Sequence, residues 1–454
     1  MITLDELRAA ASHTGENAID TVVLGIVDMQ GRLQGKRFDA RHFLETVVAE
    51  GAEGCNYLLA VDVEMNTVDG YAMSGWSGGY GDFAMVPDLS TLRRIPWHPA
   101  TALLLADVTW FDGSPVAVSP RDILRRQLDR LADRGLQAFA GTELEFILYR
   151  DTYEEAGQKG YRDLIPANQY NVDYSLLGTA RVEPLLRRIR REMAGAGLQP
   201  ESAKGECNLG QHEIAFRYAD AVTCADGHAI YKTGAKEIAA QEGMALTFMA
   251  KPNEREGNSC HIHFSLRAAD TGQAVFAASG GHGMSALMRQ ALAGMLATMR
   301  EFTLLYAPNV NSYKRFQPGS FAPTALRWGT DNRTCALRVV GHTPAGLRFE
   351  NRVPGGDVNP YLALAGMTAG ALHGIENELP LEEAYAGNAY LDADAPRVPG
   401  TLREAAELWS GSALARQVFG DAVVDHYANN ARVELAAFDA AVTDWELCRG
   451  FERL

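Results

Sequence analysis

The sequence predicts an α+β protein with a small N-terminal domain rich in β-strands and a larger domain in which strands and helices mix. Three observations carry this prediction. Strand-like runs separated by turns fill the N-terminal part, long helical patterns follow, and strands with alternating polar and apolar residues lie between those helices. A chain of 454 residues is long enough for two or more domains.

The N-terminal domain begins with a predicted hairpin. The run TVVLGIVDMQGRLQGKRF indicates two strands around Gln30-Gly31, and ATALLLADVTWF (100–111) indicates a buried strand. The segment GYAMSGWSGGYGDFAMVPD (70–88) is rich in glycine and aromatic residues, which predicts a long ordered loop.

A domain boundary is predicted near residues 112–118, which gives domains of residues 1–112 and 113–454. Ser119 is the predicted N-cap of the helix that follows, because Pro120 stands at its first position. Beyond this helix, FAGTELEFILY and SCHIHFSL predict strands. The segments VEPLLRRIRREMAGAG, GMSALMRQALAGMLATMREFTLL and NPYLALAGMTAGALHGIEN predict helices, with more helix at the C-terminus.

Composition excludes several classes of function. Apolar residues make up 47% and charged residues 22%, which is typical of a globular protein, and a net charge of −15 argues against nucleic acid or an anionic membrane as partner. No apolar run could span a bilayer, and the N-terminus has no secretory h-region. The six cysteines form no CxxC pair, so we expect reduced thiols in a cytoplasmic protein.

Acidic and histidine residues recur with a period of two on the predicted strands. In GTELEFILY, Glu143 and Glu145 face one side of the strand while apolar neighbours face the other. The same pattern places His261 opposite Ile262, and the full set of candidate metal ligands is Glu143, Glu145, Glu206, Glu213, His261 and Glu350. Carboxylates with one imidazole suit two Mg²⁺ or Mn²⁺ ions better than zinc, and a solvated edge strand is the alternative.

A second group of residues is basic and comprises Arg315, Arg333, Arg338, Arg348 and Arg352. Arginine binds carboxylate and phosphate groups bidentately, so arginines near metal-type carboxylates indicate an anionic substrate. The chain has neither a GxxxxGK[ST] nor a GxGxxG motif and no evident nucleophile arrangement. Together these features favour ATP-dependent activation of a carboxylate, with pairing to surface acids as the alternative for any single arginine.

The sequence resembles the glutamine synthetase family over nearly its whole length. The motifs ELEF, GQHE, CHIHFS, NSYKRFQPG, NRTCALR, FENR and DVNPYL occur in that family's order and approximate spacing. The resemblance implies a β-grasp N-terminal domain and a catalytic domain whose antiparallel sheet forms a half-barrel flanked by helices. It also implies a homo-oligomer, a dodecamer of two hexameric rings with active sites between subunits.

The resemblance further implies roles for individual residues. One ion would be held by Glu145, Glu206 and Glu213, and the other by Glu143, His261 and Glu350. L-glutamate would be bound by Gly257, Arg315 and Arg352. The transferring phosphoryl group would be stabilised by Arg333 and Arg338, and ATP would lie along Tyr218, His263, Ser265, Arg338 and Arg348.

The acceptor side departs from the family pattern. Ammonia-using members carry a glutamate in the loop after NSYKR, where this chain has Phe321, and their DGSS motif is replaced by LLAVDVEMN (58–66), in which Asp62 or Glu64 could substitute. Glu256 stands where many members have asparagine. The altered ammonium pocket resembles the branch that joins glutamate to larger amines.

Three functions remain open at this stage. The preferred one is a glutamate–amine ligase with an acceptor other than ammonia, with ethanolamine as the first choice and a polyamine as the alternative. The second is a true ammonia-using glutamine synthetase. The third is a non-catalytic regulator, which the complete set of metal-ligand positions argues against.

Overall fold

The computed structural model describes residues 1–15, 17–278, 280 and 283–454. The N-terminal region contains, in chain order, α1 (Leu4–Ala11), β1 (Thr21–Val27), β2 (Leu33–Asp39), α2 (Ala40–His42), a π-helical stretch (Phe43–Val47), α3 (Val48–Glu50), β3 (Ala52–Cys55), β4 (Asp82–Pro87), β5 (Arg93–Arg94) and β6 (Thr101–Thr109). Its strands form one sheet in the order β2-β1-β6-β4-β3, with β5 added on β6. The pair β1–β6 is parallel, which makes this sheet mixed.

The predicted hairpin is confirmed as β1 and β2. Its turn closes because the buried Asp28 carboxylate accepts hydrogen bonds from the backbone N–H groups of Gln30 and Arg32, at 3.0 and 2.9 Å, while Gly31 takes a φ of +77°. The prediction of a loop over residues 70–88 is wrong at its end, where β4 pairs with both β3 and β6. Pairing on two sides overrides the glycine-rich composition there.

The larger region contains α4 (Pro120–Ala132), β7 (Leu136–Tyr149), α5 (Tyr153–Gln158), α6 (Leu176–Ala180), α7 (Glu183–Gly195), β8 (Pro200–Gly205), β9 (Gln211–Phe216), β10 (Ala219–Asp220), α8 (Ala221–Gln241), β11 (Ala245–Thr247), β12 (Cys260–Ala268), α9 (Ala286–Tyr306), β13 (Trp328–Thr330), β14 (Leu337–Val340), β15 (Arg348–Asn351), α10 (Pro360–Glu376), α11 (Leu402–Gly411), α12 (Ala413–Phe419), α13 (Asp421–Ala440) and α14 (Asp444–Gly450). The predicted strands and long helices are thus present. None of the helices in the described part of the chain is long and apolar enough to cross a membrane.

The second sheet has the order β13-β14-β15-β12-β7-β9-β8, and β10 and β11 also pair with β7. Its pairs are antiparallel except at one edge, where β13 and β14 run parallel. The predicted α+β class is therefore confirmed, with the correction that the sheet is mixed rather than wholly antiparallel. The fourteen-residue strand β7 is the centre of this sheet and touches four neighbouring strands.

The helices α9 and α10 pack closely on each other in the larger region. A Cβ atom added to Gly294 would come within 2.2 Å of the carbonyl oxygen of Gly370, so only glycine permits this contact. Nearly every residue of α10 is buried, as expected for a helix that is apolar on all sides.

The two regions meet at a buried arginine. Ser119 is the N-cap position before Pro120, as predicted, although its side chain forms no capping hydrogen bond. Arg121, in the first turn of α4, donates hydrogen bonds to Asp107 of β6 (2.6 Å) and Asp226 of α8 (2.9 Å). Val118 packs in the N-terminal core, and the boundary near residue 112 stays a prediction.

Candidate active site

The predicted metal ligands gather on one face of the second sheet. In the strand registers, Glu143 of β7 lies opposite His261 of β12, and Glu145 lies opposite Glu213 of β9. Glu350 of β15 lies opposite His263, two residues beyond His261. Directly paired residues in a sheet point to the same side, so three separate strand pairings bring these side chains together.

The first cluster consists of Glu145, Glu206 and Glu213, whose ligand oxygens lie within 4.8 Å of one another. Burial, together with the charge of Glu206, raises the pKa of Glu145 to about 8. Burial and the neighbouring charges of Glu143 and Glu145 also raise the pKa of Glu213 well above its usual value. Lys204 of β8 pairs with Glu206 and, at 3.9 Å, with Asp173. The raised pKa values mean that ionising all three carboxyl groups is unfavourable on its own, and a bound divalent cation would remove that penalty.

The second cluster consists of Glu143, His261 and Glu350, again with ligand atoms within 4.8 Å of one another. Burial and the charge of Arg352 lower the pKa of His261 to about 4, so its imidazole is neutral at pH 7. The Nε2 atom of His261 is buried without a hydrogen-bond partner among the described residues. A neutral imidazole with a free nitrogen and two carboxylates is a donor set that fits Mg²⁺ or Mn²⁺.

His263 has both ring nitrogens engaged. Nδ1 accepts a hydrogen bond from Nε of Arg348 at 3.0 Å, so Nε2 carries the proton and donates to Glu143 at 2.9 Å. Burial opposes ionisation of Glu143, but its hydrogen bonds with His261 and His263 hold its pKa below the usual range. His263 therefore links the second cluster to Arg348, another residue of the predicted nucleotide set.

Three of the five predicted arginines lie around the end of the sheet formed by β13, β14 and β15. Arg338 donates to Glu350 at 3.0 Å and also to Asp331, and Arg352 donates to the other oxygen of Glu350. Arg333 is exposed on the turn that precedes β14. These three guanidinium groups thus lie at or near the β13–β15 edge of the sheet, where they can meet an anion.

Arg315 lies deeper than the resemblance implies. It is only 2% exposed and donates to the carbonyl of Val353 at 2.9 Å and to Ser259 Oγ at 2.8 Å. A Cβ atom on Gly257 would come within 2.7 Å of the Arg315 side chain and 2.4 Å of the Ala250 carbonyl oxygen, so the close approach requires glycine. Direct binding of glutamate by Arg315 stays a prediction.

Phe321 lies on a strained and exposed part of its loop. Its φ is +60° and its side chain is about half exposed (52%). A left-handed backbone at a bulky aromatic residue costs about 1–3 kcal/mol and persists only where the surroundings hold it. Here Arg352 donates from its second terminal nitrogen to the Phe321 carbonyl at 3.3 Å. Arg352 therefore connects the Phe321 loop directly to Glu350.

The rest of the predicted nucleotide set lies further along β12. Ser265 pairs with Phe139 of β7, and the Phe139 ring packs edge-on against Tyr218 at 6.2 Å between centroids. Arg267 lies over the Phe139 ring at 4.5 Å and donates to the Tyr218 hydroxyl at 3.0 Å. Tyr218 and Arg267 line a cavity of about 730 Å³, so an aromatic and cationic surface is available to a planar ligand.

Sequence reasoning missed several residues that hold the ligands in place. Gln211 donates to Glu145 at 3.0 Å and to the Gly257 carbonyl at 2.9 Å, and the backbone N–H of Ser259 donates to Glu145 at 2.7 Å. Gln211 stands two residues before Glu213 in GQHE, so the same period-two argument could have found it. Asp331 carried no signal, because its contact with Arg338 depends on the turn before β14.

The two acids considered as substitutes for the missing DGSS motif, Asp62 and Glu64, lie in an N-terminal turn beside α13. Asp62 accepts a hydrogen bond from the backbone N–H of Asn66 at 2.8 Å in an N-terminal turn. Burial and the charges of Asp62 and Glu64 raise the pKa of Glu434 on α13, which places this turn beside that helix. A role for either acid in binding the amine stays a prediction.

Comparison with known proteins defines the class of protein. A family model described as "Glutamine synthetase, catalytic domain" matches residues 117–450, and the chain belongs to the glutamine synthetase family. The predicted family is therefore confirmed, and the named relatives below include enzymes that join glutamate to amines.

The relatives point to one branch of that family. The chain is 70% identical to γ-glutamylethanolamide synthetase GlnA4 of Streptomyces coelicolor, over 96% of this chain and 93% of that protein. It is 38% identical to the glutamate–isopropylamine ligase of a Pseudomonas species, over 95% of each chain. Among solved structures, an ADP complex of GmaS matches with a TM-score of 0.84 and 28% identity, over 98% of this chain and 99% of that one.

Proposed function

We propose that this enzyme uses ATP to join the γ-carboxylate of L-glutamate to ethanolamine, which makes it a γ-glutamylethanolamide synthetase. The observation that carries the proposal is that Phe321, in place of an acid, stands on a loop joined through Arg352 to the complete carboxylate set. The 70% identity to a γ-glutamylethanolamide synthetase supports ethanolamine over other amines.

The reaction needs an activated carboxylate. The γ-phosphoryl group of ATP transfers to the γ-carboxylate of glutamate, ADP leaves, and the acceptor amine then displaces phosphate to give the amide. When bound by the two clusters, Mg²⁺ or Mn²⁺ ions supply charge neutralisation for the phosphate groups. The side chains of the protein bind, orient and shield the reacting groups.

The arginines provide the anion-binding side. We place the glutamate substrate at Arg352 and Gly257, with Arg315 beneath them, and the transferring phosphoryl group at Arg338 and Arg333. Arg338 is already oriented by Asp331 and Glu350, so a phosphate oxygen meets a fixed guanidinium donor. Preorganised donors stabilise developing negative charge at little cost in reorganisation.

Nucleotide binding is assigned to the far end of the same face. Arg348 and His263 form a hydrogen-bonded pair beside Glu143, and we place the phosphates of ATP near them, with Arg338. Tyr218 offers an aromatic surface for the base, and Ser265 lies between the two on β12. This order follows the length of β12, with Arg348 contributed by β15 and Tyr218 by the residues between β9 and β10.

At the acceptor side, Phe321 replaces a negative charge with apolar area. An ammonium group can lie over an aromatic ring whichever amine carries it, but only ethanolamine adds two methylene groups, which are worth about 0.8 kcal/mol each when buried. We place ethanolamine with its methylenes against Phe321 and its amine towards the reacting carboxyl carbon.

Assembly and location complete the proposal. We infer a dodecamer of two hexameric rings with active sites between subunits, following the family resemblance. We place the enzyme in the cytoplasm, where glutamate and ATP are available. All six cysteines are free of disulfides in the structure, which fits a reducing compartment.

An amine panel tests the proposed function. Phosphate release is measured with ATP, glutamate, Mg²⁺ and one amine at a time, using ethanolamine, putrescine, isopropylamine and ammonium, and the product is identified by mass. We expect the highest kcat/KM with ethanolamine and formation of γ-glutamylethanolamide. Best turnover with ammonium would instead make the chain a true glutamine synthetase, and best turnover with putrescine a polyamine ligase.

A further inference from the structure

One chain segment, residues 382–392, contacts two others near the site, residues 316–324 and the turn at 331–334. We name residues 316–324, which contain Phe321, the acceptor loop, and residues 382–392 the bridging segment. The turn at 331–334, which carries Arg333, is the other neighbour of the bridging segment. The bridging segment therefore lies between the phosphate side and the acceptor side of the site.

The bridging segment is fixed to the Arg333 turn and to the neighbouring strand β13 at several points. Asn332 donates from its side-chain amide to the Gly387 carbonyl at 2.9 Å, and the Ala389 N–H donates to Thr334 Oγ1 at 2.9 Å. The Tyr385 N–H donates to the Trp328 carbonyl at 2.9 Å. Ala389 also packs in a small apolar cluster with Cys335. This side of the segment is thus anchored by both polar and apolar contacts.

On its other side, the bridging segment reaches the acceptor loop through Tyr390. The Tyr390 hydroxyl donates to the carbonyl of Ala322 at 3.0 Å. Ala322 directly follows Phe321, whose own carbonyl accepts from Arg352 at 3.3 Å. The carbonyls of two consecutive residues, Phe321 and Ala322, are therefore each held by a side chain, and the first of these residues has the left-handed backbone.

We propose that Tyr390 is a positioning residue that selects the acceptor amine by fixing the backbone at Phe321 and Ala322. The proposal rests on the proposed function, because it assigns Phe321 to the acceptor site. Without the hydroxyl, the two carbonyls keep only the hydrogen bond from Arg352 among the described residues, and Phe321 can relax away from the position in which its ring meets the methylenes of the amine. Glutamate shares Arg352 with this loop but is not placed against Tyr390, and the nucleotide is placed further along β12, so we expect both to be affected much less than the amine.

The test compares Tyr390→Phe with a matched control, Tyr385→Phe. Both variants remove one hydroxyl from the same segment, but the Tyr385 hydroxyl makes no hydrogen bond to the described residues. Loss of a single neutral hydrogen bond corresponds to a change of about 2- to 10-fold. We expect Tyr390→Phe to raise KM for ethanolamine by about 5-fold. Its KM values for glutamate and ATP should stay within about 2-fold of the wild type, and ethanolamine should lose part of its advantage over ammonium.

Two outcomes would overturn the proposal. One is a Tyr390→Phe enzyme that matches Tyr385→Phe in every constant. The other is an equal rise in all three KM values with a lower melting temperature, which would make the hydroxyl a general support of the fold. The wild-type amine panel runs in parallel. The KM for the amine that the wild type prefers is then compared between the Tyr390→Phe and wild-type enzymes, and this KM ratio is the readout. A preference for another amine therefore corrects the proposed function and still leaves the role of Tyr390 decided by the ratio.

Discussion

Two parts of the candidate site meet at Arg352, and they are built differently. The metal-ligand clusters stand mainly on β7, β9, β12 and β15, where strand pairing fixes each side chain from both sides. Phe321 stands on a loop, with a left-handed backbone held by hydrogen bonds to its own carbonyl and the next. Arg352 donates to Glu350 on one side and to Phe321 on the other.

This difference suggests separate roles for the two parts, with the strand carboxylates serving phosphoryl transfer and the Phe321 loop serving the choice of amine. A substitution among the strand carboxylates disturbs buried charge that several neighbours share, so it affects every step that uses the metal ions. A substitution at Phe321 changes a half-exposed side chain on a loop, where little packing is lost. We therefore expect the strands to determine whether the enzyme works and the loop to determine which amine it uses.

The largest effect is expected from Glu143→Ala. This change removes a ligand of the second cluster and also frees His261 and His263 from their carboxylate partner. We expect phosphate release to fall by more than about 100-fold with every amine. The measurement is glutamate-dependent phosphate release together with Mg²⁺ binding by calorimetry.

The matched control is Glu201→Ala, on the exposed side of β8. It should leave both readouts unchanged. Near-normal phosphate release in Glu143→Ala would contradict the assignment of the second cluster.

A smaller effect, confined to the acceptor side, is expected from Phe321→Glu. The carboxylate restores a binding partner for ammonium and removes the apolar surface, so kcat/KM should rise about 10-fold with ammonium and fall about 10-fold with ethanolamine. Phe321→Leu, which keeps the apolar character, should retain the ethanolamine preference. If Phe321→Glu leaves the ratio of the two amines unchanged, the acceptor does not contact this loop.

The smallest effect concerns stability and pH. Glu145 has a folded-state pKa raised to about 8, above its value in the unfolded chain of about 4.3. Between about pH 6.5 and 8 the folded protein retains a proton that the unfolded chain has lost, so metal-free stability should fall by about 1–2 kcal/mol as pH rises. Below this window, buried histidines with lowered pKa values, such as His261, act in the opposite direction.

Melting temperatures in EDTA at both ends of this window check the sign. Mg²⁺ binding at pH 7 should release protons, which calorimetry in buffers of different ionisation enthalpy detects. Glu145→Gln should flatten the pH dependence. Stability that does not fall across this window in EDTA would show that Glu145 is already ionised in the metal-free protein.

The period-two pattern made the shared face of Glu143 and Glu145 predictable from the sequence, whereas the division of six ligands into two clusters, including Glu206 between β8 and β9, came from the resemblance to the family. Glu143 and Glu145 had to share a face, and antiparallel pairing of the strands did the rest. The depth of Arg315 was not predictable, because it depends on the close approach of Gly257 and on the Ser259 side chain. Tyr390 was missed as a partner of the acceptor loop for a similar reason, since 68 residues separate it from Ala322.

Glu350 gives the site a further property. Its Oε2 accepts from Arg338, and its Oε1 accepts from Arg352 and lies 3.4 Å from His261 Nδ1, so three neighbours compete for one fully buried carboxylate. Any ligand that draws Glu350 towards one of them changes what it offers the others. By thermodynamic reciprocity, a metal ion that tightens amine binding through Arg352 must itself be bound more tightly when the amine is present, by the same factor. We expect filling of the two sides of this site to be cooperative.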